Sequence, residues 1–292
     1  MSTILTPLKR YAVASYFLLT FAISWGAIIL AIGPGGLRHV TDLPAATTGA
    51  LYGAMLAGPM LAALLLTGVV DGRVGLRALA ARMLRWRVGV RWYAIALLTA
   101  PLLMSVPALL LVRRGPEFLP AFVTADDGRG LLLSSVLAGM VVGFCEEIGW
   151  TGFAVPRLRA RYSILVTGLI VGLVWGAWHF LLFWEGDTFA GAVPLALLVS
   201  RLFAWLPPYR VLMVHVYDRT QSGLVTALMH ASLVASQFII MPAALMGVDL
   251  VVWLLVWAAV LWLAVGVVTW WASGRSAYAS EGRRRGSVSG EL

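Results

Sequence analysis

VVGFCEEIGWTGFAVPRL, residues Val141–Leu158, places two adjacent carboxylates, Glu146 and Glu147, in a segment that is otherwise almost wholly apolar. With the apolar residues before it, this segment is long enough to predict a membrane-spanning helix. A charge at the centre of such a helix costs about 2.5–3.5 kcal/mol on insertion scales, so an acidic pair there indicates a functional site. Nearly all of the other acidic residues fall in predicted loops or at the ends of predicted spans.

The whole chain is as apolar as this segment. It has 292 residues, of which 61% are hydrophobic and only 12% are charged, and its mean hydropathy is +0.89. This composition excludes a water-soluble globular protein and predicts a multi-pass protein of the cell membrane. Because no polar linker divides the apolar runs, we expect one transmembrane domain, residues 1–274. The small, polar and charged residues 275–292 are predicted to form a disordered cytoplasmic tail.

Apolar segments of about 20 residues predict an all-α, polytopic bundle of about eight transmembrane helices. The sixth segment contains Pro207 and Pro208, and a proline pair either ends a helix or bends it. The segments lie near residues 11–33, 48–70, 92–112, 131–153, 163–184, 190–217, 222–246 and 250–272.

The excess of basic residues, a formal charge of +9, predicts the orientation of the chain rather than nucleic-acid binding. Eight spans would place sixteen basic residues on the side of both termini and four on the other side, so we expect both termini in the cytoplasm. Arg201 and Arg210, near the proline pair, are assigned to neither side. The basic stretch 71–92 fits a helix on the membrane surface or a solvated loop equally well. The expected partner is the lipid bilayer, with no nucleic acid.

Two histidines, His179 and His230, lie inside later predicted spans, where they could meet the acidic pair. A buried carboxylate beside a neutral imidazole can deprotonate water, and a second imidazole can donate to the developing oxyanion. The alternative is a Zn²⁺ ion held by Glu146, His179 and His230 with a fourth position open for water. The sequence contains no HExxH zinc motif. Cys145 is interpreted as a small packing residue rather than a nucleophile.

Glycines surround these polar residues at spacings that favour close contact between helices. Gly143, Gly149 and Gly152 flank the acidic pair, and three further glycines precede His179 at intervals of four. Those three are Gly168, Gly172 and Gly176.

Three stretches in this order, EEIGWTGFAVPRL, VWGAWHFLLF and SGLVTALMHASL, resemble the three motif helices of the CAAX protease and bacteriocin-processing family of intramembrane proteases. The resemblance covers residues 131–245 and fits the predicted eight-helix bundle. It implies that Glu146 activates water and that Glu147 supports it. It also implies that His179 shares this water and that His230 stabilises the tetrahedral intermediate.

The sequence departs from the family pattern at three positions. Trp175 replaces the more common Phe four residues before His179. Thr151 stands where the family has Arg, which removes a cation that could keep the carboxylates ionised. Val234 stands where the family has Asn or Asp, which removes a candidate oxyanion donor.

The resemblance implies an intramembrane endopeptidase of the glutamate or metallo type that cleaves a peptide or membrane-protein substrate, with Zn²⁺ as a possible cofactor. The departures at Thr151 and Val234 favour an alternative, a catalytically impaired relative that acts as a binding or chaperone protein in the membrane. An ion-coupled transporter would also need intramembrane acids and histidines. It ranks last, because the sequence shows no pair of related halves with matching broken helices.

Overall fold

The computed structural model describes the backbone of residues 9–36 and 45–288 and the side chains of residues 9–33 and 47–271. Within these ranges the protein is a helical bundle without β-strands, as the sequence predicts. The α-helices are α1 Ala12–Gly36, α2 Ala45–Met83, α3 Val90–Leu111, α4 Ala121–Thr124, α5 Gly128–Gly149, α6 Val155–Arg159, α7 Ile164–Trp178, α8 Phe180–Phe183, α9 Ala192–Val199, α10 Leu206–Thr220, α11 Gly223–Ile240 and α12 Gly247–Val288.

Seven helical segments in the described part of the chain are long and apolar enough to cross a membrane, so the protein is a multi-pass membrane protein. The structure differs from the predicted eight spans in the fifth segment, residues 163–184. There the apolar helix α7 has 15 residues and ends at Trp178, and the four-residue helix α8 follows it. Because 15 helical residues extend about 22 Å, α7 is shorter than the hydrocarbon core. His179 therefore lies at a helix end. The cytoplasmic placement of the termini stays a prediction.

The proline pair in the sixth segment does not end the span. A π-helical turn, Ser200–Ala204, connects α9 to α10, and the two prolines occupy the first turn of α10. Proline is tolerated there because the first N–H groups of a helix have no intrahelical partner. The span therefore runs from Ala192 to Thr220.

The two basic stretches outside the predicted spans have mainly helical backbones. Helix α2 continues past a kink at Gly72 to Met83, so residues 71–83 are helical, while residues 84–89 form a connection to α3. Helix α12 continues to Val288, and residues 289–292 lie outside the described part of the chain. The domain boundary at residue 274 and a cytoplasmic tail at residues 275–292 remain predictions.

A side-chain cap sets the start of each helix that carries a predicted motif. Asp127 accepts a hydrogen bond from the backbone N–H of Gly130 at the start of α5. Ser163 and Ser222 accept equivalent bonds, each 3.2 Å long, at the starts of α7 and α11. Such caps satisfy N–H groups that a helix leaves unpaired, and they fix the register in which the motif residues enter the bundle.

Glycines bring the motif helices into close contact, as their spacing predicts. A Cβ on Gly143 of α5 would lie 2.5 Å from the carbonyl oxygen of Ala227 in α11. A Cβ on Gly172 of α7 would lie 2.6 Å from the Cα of Pro207 in α10. Small residues at such contacts let helix backbones approach closely in the membrane. The same contacts place the polar residues of these four helices side by side.

Gly143→Ala tests this packing, because its new methyl group would meet backbone atoms that cannot move aside. We expect a loss of about 1–3 kcal/mol of stability, measured by unfolding in detergent. Gly266→Ala is the matched control, since no heavy atom lies within 4 Å of its Cβ position. There alanine should be neutral or slightly stabilising in the helix. Equal stability of the two variants would contradict close α5–α11 packing.

Candidate active site

Glu147 lies at the centre of a fully buried polar cluster. Nη1 of Arg210 donates to both of its carboxylate oxygens, at 2.8 and 2.9 Å. Nδ1 of His230 donates to Oε1 at 2.8 Å, and the hydroxyl of Thr151 donates to Oε2. The side chains of Glu147 and Arg210 are both 0% exposed. An ionised carboxylate only accepts hydrogen bonds, so this contact assigns the proton of His230 to Nδ1.

Glu146 has different surroundings, although it is the next residue. Its Oε2 accepts hydrogen bonds from the indole N–H groups of Trp150, at 3.0 Å, and Trp175, at 2.7 Å. Its Oε1 accepts none from the described residues. Two fixed donors on one oxygen hold the carboxylate in place, and the other oxygen is left available to a water molecule. Both carboxylate oxygens of Glu147 therefore accept hydrogen bonds from the described residues, whereas only one oxygen of Glu146 does.

The indole ring of Trp175 joins the other site residues. Its centroid lies 5.6 Å from the ring of His179 and 5.0 Å from the ring of His230, both in edge-to-face contact. The guanidinium carbon of Arg210 lies 4.2 Å from the same centroid, in a cation–π contact. Because its N–H also binds Glu146, this one side chain contacts all four groups. The Trp that replaces the family's usual Phe thus adds a hydrogen-bond donor.

His179 is half-buried at the end of α7. Its Nδ1 donates to the carbonyl oxygen of Trp175 at 2.8 Å, and Phe183 stacks on its ring at a centroid distance of 5.8 Å. Trp175, which donates to Glu146, contacts both the ring of His179 and the ring of His230. With Nδ1 occupied by a carbonyl oxygen, the Nε2 of a neutral His179 is a hydrogen-bond acceptor. The structure therefore brings together the four predicted site residues.

A π-helical turn, Trp150–Ala154, follows α5 directly after the acidic pair. Such turns are rare and occur often at functional sites. Here Trp150 and Thr151 lie at its beginning, and each donates to the carboxylate four residues earlier. The wide turn thus begins with the two residues that orient the acidic pair from its own helix.

Sequence reasoning missed Arg210, which it assigned to neither side of the membrane. The sequence predicted that the site loses a cation at Thr151, but α10 supplies one from another part of the chain. Thr151 itself contributes a hydroxyl donor to the same carboxylate. A lone arginine within an apolar span was the signal that could have indicated this contact. The nearby Ser232 does not supply the hydrogen-bond donor that Val234 lacks, because the Ser232 hydroxyl donates to the carbonyl oxygen of Leu97 at 2.7 Å.

The residues proposed as zinc ligands do not form a metal site in this geometry. Across residues 9–33 and 47–271, no three His, Cys, Asp or Glu side chains are arranged to hold a metal ion. The neighbouring Glu147 directs both oxygens to Arg210, His230 and Thr151 instead. Zinc binding by Glu146, His179 and His230 stays a prediction, and no step below depends on it.

Comparison with known proteins supports the resemblance that the three motifs indicate. Residues 128–236 match the family model described as type II CAAX prenyl endopeptidase Rce1-like. This part of the chain is similar to the Rce1-like family. The matched segment contains all the motif residues and Arg210, so the predicted resemblance is confirmed there.

A shorter stretch is similar to CAAX prenyl protease 2 of Methanococcus maripaludis, with 36% identity over 44 residues. The aligned stretch covers 15% of this chain and 16% of that protein.

Thr151→Val tests the hydroxyl contact to Glu147 at nearly constant volume. It removes one donor from a buried carboxylate, so we expect a loss of about 1–3 kcal/mol in stability. The control is Thr167→Val, because Thr167 is fully buried and its hydroxyl has no hydrogen-bond partner among the described residues. Replacing that hydroxyl should be neutral or stabilising. Thermal unfolding in detergent compares the two, and a Thr151→Val variant as stable as Thr167→Val would contradict the contact.

Proposed function

We propose that the protein is an intramembrane endopeptidase that hydrolyses a peptide bond with water activated by Glu146 and His179. The observation that carries this proposal is the environment of Glu146. One of its oxygens is held by two indole N–H groups and the other has no partner among the described residues, in a buried site that includes His179. A carboxylate fixed in this way is suited to general-base catalysis. The Rce1-like match supports a protease.

The bound water would donate one hydrogen bond to Oε1 of Glu146 and one to Nε2 of His179, since both atoms are acceptors. Its oxygen lone pair would then face the carbonyl carbon of the substrate. Glu146 takes a proton as the water attacks, and it delivers this proton to the nitrogen of the cleaved bond. The products are a carboxylic acid and an amine, so the step consumes one water molecule and no other reactant.

His230 would stabilise the tetrahedral intermediate from the other side. Its Nδ1–H is directed to Glu147, so donation from Nε2 to an oxyanion requires a second proton on the ring. The adjacent carboxylate of Glu147 stabilises such an imidazolium, as in other carboxylate–histidine pairs. With Arg210 also charged, the two cations balance the two carboxylates of Glu146 and Glu147. The site can therefore hold this charge distribution without a net buried charge.

The proposed substrate is a peptide or membrane protein whose scissile bond enters the bilayer-embedded site. A prenylated tail of the CAAX type is the first candidate, because the Rce1-like description and the archaeal relative both name that substrate class. We place the protein in the cell membrane.

One observation favours a second function. Val234 offers no hydrogen bond where the family pattern has Asn or Asp, which supports an impaired relative that binds membrane peptides without cleaving them.

Cleavage by the purified protein in detergent and in bilayers tests the first proposal. A farnesylated CAAX-type peptide and a membrane-peptide library serve as substrates, with and without a chelator. We expect Glu146→Gln and His179→Ala to lose at least about 100-fold in rate, because each removes a group that holds the water. Glu185→Gln is the matched control, since Glu185 is exposed and pairs with Arg201.

Cleavage that persists in both site variants would contradict the proposed roles. Folded wild-type protein that binds these peptides without cleaving them would instead support the second function. Loss of activity in the presence of the chelator would support the zinc prediction.

Val234→Asn tests whether the missing amide limits the rate. One oxyanion donor is worth about 10²–10³ in rate in a well-studied protease, so we expect a rise in kcat of at least about tenfold. Val234→Leu controls for the change in size. If the Asn variant folds and its kcat equals that of the Leu variant, His230 provides the stabilisation without help from position 234.

A further inference from the structure

Arg210 is a fully buried cation whose only part in the proposed catalytic steps is to balance charge. It is 0% exposed, and it reaches Glu147 across 63 positions of sequence. The other arginines that pair with carboxylates in the described part of the chain are partly exposed, among them Arg157 with Asp71 and Arg159 with Asp218. Arg210 is thus distinguished from the other ion pairs by its burial.

Two sequence positions converge on the same carboxylate. The family pattern expects an arginine at position 151, and the residue there, Thr151, donates its hydroxyl to Oε2 of Glu147. Arg210 donates to Oε1 and Oε2 of that group from α10. A cation expected four residues along the same helix is therefore replaced by one from a neighbouring helix.

The packing of α7 against α10 makes room for this replacement. A Cβ on Gly172 would lie 3.2 Å from the Cβ of Arg210, so the glycine leaves space where the arginine side chain leaves its helix. The guanidinium then lies over the face of Trp175, whose N–H holds Glu146. Through these contacts Arg210 reaches both carboxylates, Glu147 directly and Glu146 through the indole.

We propose that Arg210 is the positioning residue of this active site and takes the place of the arginine expected at position 151. It holds Glu147 so that this carboxylate orients His230, and it contacts the face of the indole that orients Glu146. The proposal rests on the proposed endopeptidase function.

A purely structural role explains Arg210 poorly. Replacing a buried ion pair by apolar side chains of similar volume is often neutral or stabilising, so such a pair is a weak source of stability. In addition, Nε and Nη2 of Arg210 have no hydrogen-bond partner in the described part of the chain. Unpaired buried donors reduce stability. The arginine is therefore better explained by the carboxylate that it orients.

The test moves the cation between the two positions. Arg210→Met should lower kcat by at least about 100-fold, the scale of one lost electrostatic contact in an active site. Arg210→Lys keeps the charge and should retain more activity than Arg210→Met. The double variant Thr151→Arg/Arg210→Ala returns the cation to the position that the family pattern expects, and it should recover at least about tenfold over Arg210→Ala. Arg201→Met, at a partly exposed ion pair, is the control and should stay near wild type.

A second readout does not depend on cleavage. In ¹⁵N spectra of the histidine-labelled protein, wild-type His230 should show a protonated Nδ1 engaged in a strong hydrogen bond. Arg210→Ala should alter this signal, and Thr151→Arg/Arg210→Ala should restore it. A His230→Gln sample assigns the resonance.

The two readouts separate the two proposals. Inactive wild-type protein with a His230 signal that depends on Arg210 would overturn the endopeptidase proposal and keep the positioning role. Active protein whose kcat is unchanged in Arg210→Met and whose His230 signal is unchanged in Arg210→Ala would overturn the positioning role. If the relocated arginine restores stability but neither kcat nor the His230 signal, Arg210 has a structural role and the proposal is wrong.

Discussion

The contact between Arg210 and Glu147 is the interaction on which the rest of the site depends. Unpaired charges are very costly in a low-dielectric interior, and Arg210 offsets this cost for the fully buried carboxylate of Glu147. The ion pair joins α5, which carries Glu147, to α10, which carries Arg210. His230 of α11 binds the same carboxylate. Helix α5 is thereby held against α10 and α11, which lie much later in the chain, with glycines at the close helix contacts that make this possible.

Trp175 extends this arrangement to the second carboxylate. Its ring contacts Arg210 and both histidines, while its N–H binds Glu146. A phenylalanine could fill the same space but could not donate a hydrogen bond. The departure from the family's usual residue therefore adds a contact at the group proposed to activate water. The three departures in the sequence thus have different consequences, because Arg210 supplies a cation, the indole of Trp175 adds a donor, and Ser232 does not supply the donor that Val234 lacks.

The apolar runs predicted most of the helical bundle, and the acidic pair with its two histidines predicted the residues that meet in the candidate site. The fifth span was predicted to continue to residue 184, because the sequence stays apolar there. The helix ends earlier, at Trp178. There the side chain of His179 donates to the carbonyl oxygen of Trp175, and the backbone N–H of His179 donates to the carbonyl oxygen of Gly176 at 3.0 Å. Arg210 could not be placed from the sequence, since a contact across 63 residues depends on how α7 packs against α10. The sequence also did not decide whether the proline pair ends or bends the sixth segment.

The most direct measurement is a double-mutant cycle between Glu147 and Arg210. The free energy of unfolding would be measured in mixed detergent micelles for wild type, Glu147→Gln, Arg210→Met and the double variant. We predict a coupling energy of about 2–3 kcal/mol, because each single variant leaves a buried polar group without its partner and the double variant removes both charges. Additive effects within about 0.5 kcal/mol would contradict a direct buried ion pair, and with it the proposal that this pair positions the site in which Glu146 and His179 activate water.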